Sequence, residues 1–254
     1  MKLTVLGTGT AIPQKERTTP GYLLSVDQSN YLFDMGPLAV HRLIELNIDL
    51  AGISTVFISH YHLDHILGLF HLLFVFKHPE YKKIKAMAKI AGSSESILKI
   101  SKIIHAFGDM IDPESYSFEI LGPSKKFQLS ADYYLLTATV SHSNSSLAYM
   151  IFKDDKKIFV YTGDSDYDHS VIDAASGTQF LLMECSFPDQ KKVANHLIPS
   201  QCAQIAFRSR AKMTLLTHFY PEAQSDLIEQ QCSQSFVTDY LLLKDGQIID
   251  LTPF

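Results

Sequence analysis

Four side chains able to offer nitrogen or oxygen to a cation crowd into six consecutive residues, His60-Tyr61-His62-Leu63-Asp64-His65. So many polar groups beside an apolar core need partners, which makes a merely solvated loop a poor account of the run. The flanks supply a frame. Thr55 to Ser59 has the pattern of a short buried strand, and Leu67 to Phe76 is apolar all round, as a buried helix would be. Neutral imidazoles and a carboxylate suit zinc, iron or manganese better than calcium or magnesium alone. A single ion rarely takes ligands from all four of these positions, so the density points to two neighbouring ions that complete their shells elsewhere.

The rest of the shell is sought at other strand ends. His142 follows the run Tyr133 to Val140, Asp164 follows Ile158 to Tyr161, and His218 ends Met213 to Thr217. Each alone reads as a turn or cap residue; their number and placement together carry the inference. Further runs of strand type are Leu3 to Leu6, Leu147 to Phe152 and Phe180 to Met183, with a hairpin from Tyr22 to Val26 and Tyr31 to Phe33. Helical spacing marks Pro37 to Leu46, Ser94 to Phe107 and Ser200 to Arg210, and Asp245-Gly246 suggests a terminal hairpin over Leu241 to Leu251. Strands interleaved with helices predict a layered α/β fold, and without a linker-like shift in composition residues 1–254 read as one domain.

Composition excludes several classes. At 46% apolar and 19% charged residues the chain is neither disordered nor low in complexity. Its longest apolar stretch, Ile66 to Phe76, falls short of the ~20 residues that span a bilayer, and Met1-Lys2 leads directly into a strand pattern, so neither a membrane protein nor a secretory leader is expected. Cys185, Cys202 and Cys232 are an odd number without zinc-finger spacing, which predicts reduced thiols and a cytoplasmic setting. A net charge of −5 gives no general attraction to nucleic acid, and the small cluster Lys82, Lys83, Lys85 and Lys89 reads as a solvated helix face.

The run from His60 to His65 resembles the His-x-His-x-Asp-His signature of the metallo-β-lactamase superfamily, and Asp34 before it and His142, Asp164 and His218 after it occur in the order found there. The resemblance implies a four-layer αββα sandwich. It implies that His60, His62 and His142 hold one metal, that Asp64, His65 and His218 hold the other, and that Asp164 bridges them. Asp34 would steady the ligand loop from behind. Zinc is the first choice, with manganese or iron as alternatives. Leu3 to Pro13, Leu182 to Phe187, His196-Leu197-Ile198-Pro199 and Leu216 to Pro221 are similar to segments of the tRNase Z branch, where a glutamate and a histidine form a proton-transfer pair; here these are Glu184 and His196.

Two departures qualify that likeness. In bacterial tRNase Z an arm that grips tRNA lies between the third and fourth motifs, whereas here His142 and Asp164 enclose only a strand-turn-strand pattern. Where the branch has a threonine before the helix this chain has Ile198, which cannot cap with its side chain. The resulting expectation is a binuclear metal-dependent hydrolase, a phosphodiesterase with a hydroxide shared by the two ions as nucleophile, Asp64 orienting it and His196 protonating the departing oxygen. The substrate would be a small phosphodiester rather than nucleic acid, with no membrane partner and a homodimer implied as an option by the family. Two alternatives stand beside it: a tRNA 3′-end processing nuclease, and a non-catalytic metal-binding protein of the same fold.

Overall fold

The computed structural model describes residues 1–84, 86–123 and 125–252. Among these the backbone forms two seven-stranded sheets. The first contains β1 (Lys2–Gly7), β2 (Gly21–Val26), β3 (Ser29–Met35), β4 (Ile53–Ile58), β5 (Ala88–Gly92) and β6 (Tyr116–Ile120). The second runs from β7 (Phe127–Gln128) through β8 (Tyr133–Thr139), β9 (Leu147–Lys153), β10 (Lys156–Tyr161), β11 (Phe180–Glu184) and β12 (Met213–Thr217) to β13 (Asp239–Leu242). The chain then returns to the first sheet as β14 (Ile248–Asp250), antiparallel to β1.

Helices cover both outer faces. α1 (Ala39–Glu45), α2 (Leu63–Phe76), α3 (Pro79–Lys83) and α4 (Ser94–Phe107) belong to the first sheet's half, and α5 (His169–Ala175), α6 (Pro199–Ser209) and α7 (Ser225–Ser235) to the second's. Alternation within each strand feeds two apolar layers at once. Leu32 joins the helices while Tyr31 and Phe33 face the opposite sheet. Leu181 and Met183 pack towards α5 and α6 while Phe180 and Leu182 turn inwards. Strands buried on both faces explain the continuous apolar runs in the sequence. The architecture is the four-layer αββα sandwich of the metallo-β-lactamase fold.

Between the sheets, buried tyrosines do two jobs. Their rings pack with Phe33, which stacks on Phe57 at 5.1 Å and meets Tyr149 edge-on at 5.4 Å. Their hydroxyls tie the sheets together: Tyr149 donates to the Ile58 carbonyl at 2.5 Å, Tyr161 to Asp34 Oδ2 at 2.5 Å, and Tyr22 shares a 2.8 Å hydrogen bond with Thr217. Each bond ends next to a strand terminus that carries a polar residue of the site. The inter-sheet core is therefore also the base on which the site rests.

The terminal hairpin does not form. β13 pairs in parallel with β12 and β14 pairs with β1, so the segment around Asp245-Gly246 crosses from one sheet to the other. Asp245 holds that crossing, accepting from the backbone N–H and hydroxyl of both Thr8 and Thr18 at 2.7–2.9 Å. Asp-Gly marked a reversal correctly, but local turn chemistry says nothing about which sheet receives the second strand. By contrast, β9 and β10 do form a tight hairpin around Asp154 and Asp155, whose φ values of 47° and 61° fit a type I′ turn. α2 also begins earlier than its apolar run, at Leu63. Cys185, Cys202 and Cys232 are buried and unpaired, and no helix among the described residues is long and apolar enough to cross a membrane.

Candidate metal centre

Strand ends from both sheets converge on one edge of the sandwich. His60 follows β4, His62 is the N-cap of α2, and Asp64 and His65 occupy its first turn. His142 follows β8, Asp164 follows β10 through Gly163, Glu184 ends β11 and His218 follows β12. β10, β11 and β12 run in parallel, so their carboxyl ends meet at this edge, the usual position of ligand sites in such sheets. Close backbone packing sets the α2 side of the site. A Cβ on Gly68 would sit 2.2 Å from the Gly36 carbonyl oxygen, so only glycine lets α2 approach the loop after β3 this closely. Gly163, at φ +61° and with Ser59 filling the space where its Cβ would be, allows the turn that presents Asp164.

The side chains form two clusters with a shared member. His60, His62, His142 and Asp164 place one ligand atom each within 4.8 Å of one another, as do Asp64, His65 and His218. Asp164 faces both. Its Oδ2 is 3.9 Å from Nε2 of His60 and of His142, whereas its Oδ1 is 3.4 Å from His65 Nε2 and 3.3 Å from His218 Nε2. Asp64 Oδ2 lies 3.6 Å from His218 Nε2 and 3.7 Å from His65 Nε2.

The hydrogen bonds behind the clusters fix the imidazole tautomers. Asp34 accepts from the Ser59 hydroxyl at 2.6 Å, so Ser59 Oγ is left to accept from His60 Nδ1 at 3.0 Å. Asp34 also accepts from His65 Nδ1 at 2.8 Å, and the Asn195 carbonyl accepts from His142 Nδ1 at 2.8 Å. Ser186 donates to Glu184 and so accepts from His218 Nδ1 at 3.0 Å. In all four rings Nδ1 carries a proton and Nε2 points into the site. His60 Nε2 is buried with no hydrogen-bond partner, and Nε2 of His65 and His218 face each other at 3.3 Å. Converging lone pairs and carboxylates with no donor between them fit a divalent cation, and the nitrogen–oxygen set fits zinc, manganese or iron.

Burial presses the His65 pKa down, but Asp164, Asp64 and Asp34 outweigh that effect and raise it well above the ordinary imidazole value, a positive charge that a cation in the site would replace. Burial holds the His60 imidazole well below its ordinary pKa, and the neighbouring His65 adds to the effect, so His60 is a neutral donor. Burial works upwards on Asp164 and Asp64, but the surrounding imidazoles outweigh it: Asp164 is held well below the usual carboxylate range and Asp64 at about 2.

Beside the clusters stands the pair expected from Glu184 and His196. Glu184 is 1% exposed; it accepts from His196 Nδ1 at 3.0 Å, from Ser165 N at 2.8 Å and from Leu197 N at 3.2 Å. Burial presses the His196 pKa down, yet the charge of Glu184 and its hydrogen bond prevail and raise it to about 9. Ligand atoms of His196 and Glu184 come within 4.8 Å of those of His142 and Asp164. Ile198 is the N-cap of α6 and makes no side-chain cap; Asp189 Oδ1 instead accepts from Ser200 N at 3.0 Å.

The candidate ligands His60, His62, Asp64, His65, His142, Asp164 and His218, together with Asp34, Glu184 and His196, thus all lie at this edge. Sequence reasoning missed Ser59, Tyr161, Ser186 and Asn195, which hold the tautomers or their acceptors. Only their adjacency to the motif residues could have flagged them. Of the basic cluster, Lys82 pairs with Asp112 at 2.7 Å, Lys89 lies over the Phe127 ring, and Lys85 lies outside the described residues.

Comparisons with known proteins follow the same line. The family described as Anti-Pycsar protein Apyc1 matches residues 1–242. A ribonuclease Z from Methanococcus maripaludis is 35% identical over 158 residues, 62% of this chain and 50% of the relative, so the chain spans about half the length of the curated relatives of that kind. The protein named "Probable metallo-hydrolase YhfI" of Bacillus subtilis is 26% identical across 97% of this chain and 98% of its own length. Its crystal structure, of a metallo-β-lactamase fold protein, superposes with a TM-score of 0.84 over 98% of each chain at 22% identity. The short form of human tRNase Z superposes with a TM-score of 0.76 over 99% of this chain and 100% of its own, at 20% identity.

Proposed function

The chain belongs to the Anti-Pycsar protein Apyc1 family, and from that membership together with the site geometry we propose that this metal-dependent hydrolase is a phosphodiesterase acting on small phosphodiesters. The observation that carries the reading is the hydrogen-bonded pair of buried Glu184 and partly buried His196 beside Asp164. Lactone and thioester cleavage have less need of a dedicated proton donor, whereas expulsion of an alkoxide from phosphorus needs one.

His60, His62 and His142 would hold one divalent cation and Asp64, His65 and His218 a second, with Asp164 between them. Bound there, such ions acidify water and polarise a phosphoryl oxygen. The chain's own groups do the rest. Asp64, ionised and set between His65 and His218, orients the attacking water. Glu184 takes the His196 Nδ1 proton as a hydrogen bond and favours the imidazolium, leaving Nε2 to protonate the departing oxygen. Asp34 and Ser186 keep the ligand tautomers in place through the contacts described above.

The two-residue turn between β9 and β10 leaves no arm with which to hold a tRNA, and this favours a small substrate. The 35% identity to ribonuclease Z supports tRNA 3′-end processing as the second reading. Hydrolysis of bis(p-nitrophenyl) phosphate with added zinc or manganese tests the first, with loss of turnover expected in Asp64→Ala. Metal-loaded protein inert towards phosphodiesters yet active on a lactone or thioester would overturn it. Trimming of a precursor tRNA at its 3′ end would establish the second.

A further inference from the structure

The imidazoles of the site are not all held in the same way. Behind His60, His65 and His218 stand the side chains of Ser59, Asp34 and Ser186, all fully buried. His142 Nδ1 donates instead to a backbone carbonyl, that of Asn195, in the turn that leads into His196. Residues 190–195 are exposed, and Asn195 adopts the left-handed conformation at φ +66°. An exposed turn with few buried contacts is among the first parts of a fold to open. Yet this one delivers both the acceptor behind a candidate ligand and the candidate proton donor, so its geometry must be fixed from outside.

Asp166 supplies the anchor. Its N–H donates to the Ser141 carbonyl at 2.5 Å, which ties it to the loop that carries His142. Its Oδ2 accepts from Asn195 N at 2.8 Å and its Oδ1 from Lys192 Nζ at 2.6 Å. The Lys192 ammonium also donates to the His196 carbonyl and so closes the turn on itself. Among the described residues, the hydrogen bonds that join residues 192–195 to other parts of the fold all end at Asp166 or begin at His142. Bonds to a charged partner are roughly twice as strong as neutral ones, so this carboxylate dominates the turn. We propose that Asp166 and Lys192 form a polar clasp that positions the His196 turn, setting the Asn195 carbonyl against His142 and His196 against Glu184 together. Both are positioning residues, and neither belongs to a ligand cluster. The clasp rests on the reading of His142 as a cation ligand and of His196 as the donor to the departing oxygen.

Competition of zinc against a chromophoric chelator gives a constant for each cluster, and His142→Ala identifies the one that belongs to His142. Asp166→Ala is expected to weaken that constant about tenfold, the lower end of what outer contacts contribute to metal affinity, and to leave the other within about twofold. Lys192→Met, which leaves the Asp164 turn untouched, should weaken the same constant about threefold, whereas Lys192→Arg should keep the wild-type value. A general loss of structure would lower both constants alike. The His196 half is read from leaving groups: diphenyl phosphate needs a proton donor more than bis(p-nitrophenyl) phosphate does, so its turnover should fall about tenfold further in Asp166→Ala. Constants unchanged or lowered alike in Asp166→Ala, no effect of Lys192→Met, the same loss in Lys192→Arg, or equal losses on the two phosphodiesters would each overturn the clasp. A wild type that takes up no zinc would remove the cation reading and the clasp with it. Two bound zinc ions, one with an Asp166-dependent constant, in a protein that cleaves neither phosphodiester would keep Asp166 as the positioning residue of His142 and remove the phosphodiesterase reading.

Discussion

Asp34 carries no ligand atom of either cluster, yet its replacement by asparagine should weaken cation binding in a calculable way. It is 0% exposed, with φ +55°, a conformation that asparagine tolerates nearly as well as aspartate. Its Oδ1 accepts from Ser59 N at 2.7 Å; its Oδ2 accepts from Ser59 Oγ, Tyr161 OH and His65 Nδ1. An amide has one acceptor oxygen and one donor nitrogen, so Asp34→Asn must place its NH2 against one of these two sets. Facing the second set, it is tolerated only if the two hydroxyls turn and His65 moves its proton to Nε2, the atom that faces Asp164 and His218. Facing the first, it leaves the backbone N–H of Ser59 buried without an acceptor, at about 1–3 kcal/mol. A cation at His65 forbids the first arrangement and therefore forces the second. The penalty falls on binding, and about 1–3 kcal/mol corresponds to roughly 5- to 150-fold in affinity, the range in which losses of such supporting contacts lie. Competition against a chromophoric zinc chelator reads this directly, with near-ultraviolet circular dichroism of the metal-free variant as the check on folding. Wild-type zinc affinity in a folded Asp34→Asn protein would refute the tautomer argument.

Other outcomes follow from the same geometry. Gly68→Ala drives a Cβ to 2.2 Å from the Gly36 carbonyl oxygen, so α2 must shift; a loss of about 1–3 kcal/mol in urea unfolding and weaker zinc binding through Asp64 and His65 are expected, and an unchanged midpoint would show that the contact yields freely. His196, with its folded pKa raised to about 9 beside Glu184, stabilises the metal-free fold fully below its ordinary value of 6.5, and that contribution disappears as pH rises from 6.5 through about 9. The unfolding free-energy gap between wild type and His196→Gln should therefore narrow over that window; a gap independent of pH would mean that the pair does not hold its proton. The metal-loaded protein should also lose bis(p-nitrophenyl) phosphate turnover on chelation and recover it with zinc or manganese, whereas activity that survives chelation would remove the cations from the reaction.

Much of this was legible in the chain because it is written locally. Ligand types at short spacing, strand patterns that end at His60, His142, Asp164 and His218, and helical spacing before Phe76 all depend on near neighbours in sequence. Contributions that arise from distant segments were not. β5 and β6 went unread because short strands with small or exposed residues, such as Ala88 and Ala91 or Phe118 and Ile120, lack a clear alternation and form only by pairing in parallel with β4 and with each other. The return of β14 to β1 depends on Asp245 meeting Thr8 and Thr18, partners more than two hundred residues away.

The sequence by itself determined the inventory: which residues can hold a cation, which can carry a proton, and an alternation that buries strands on two faces. Tertiary structure alone decided the assignment. Which Asp164 oxygen faces which cluster, which imidazole nitrogen keeps its proton, and that Asp166 holds the turn carrying Asn195 are set by hydrogen bonds and packing between elements far apart in the chain. The reason is geometric: side-chain chemistry and period belong to each residue and its neighbours, whereas orientation exists only once two sheets are pressed together.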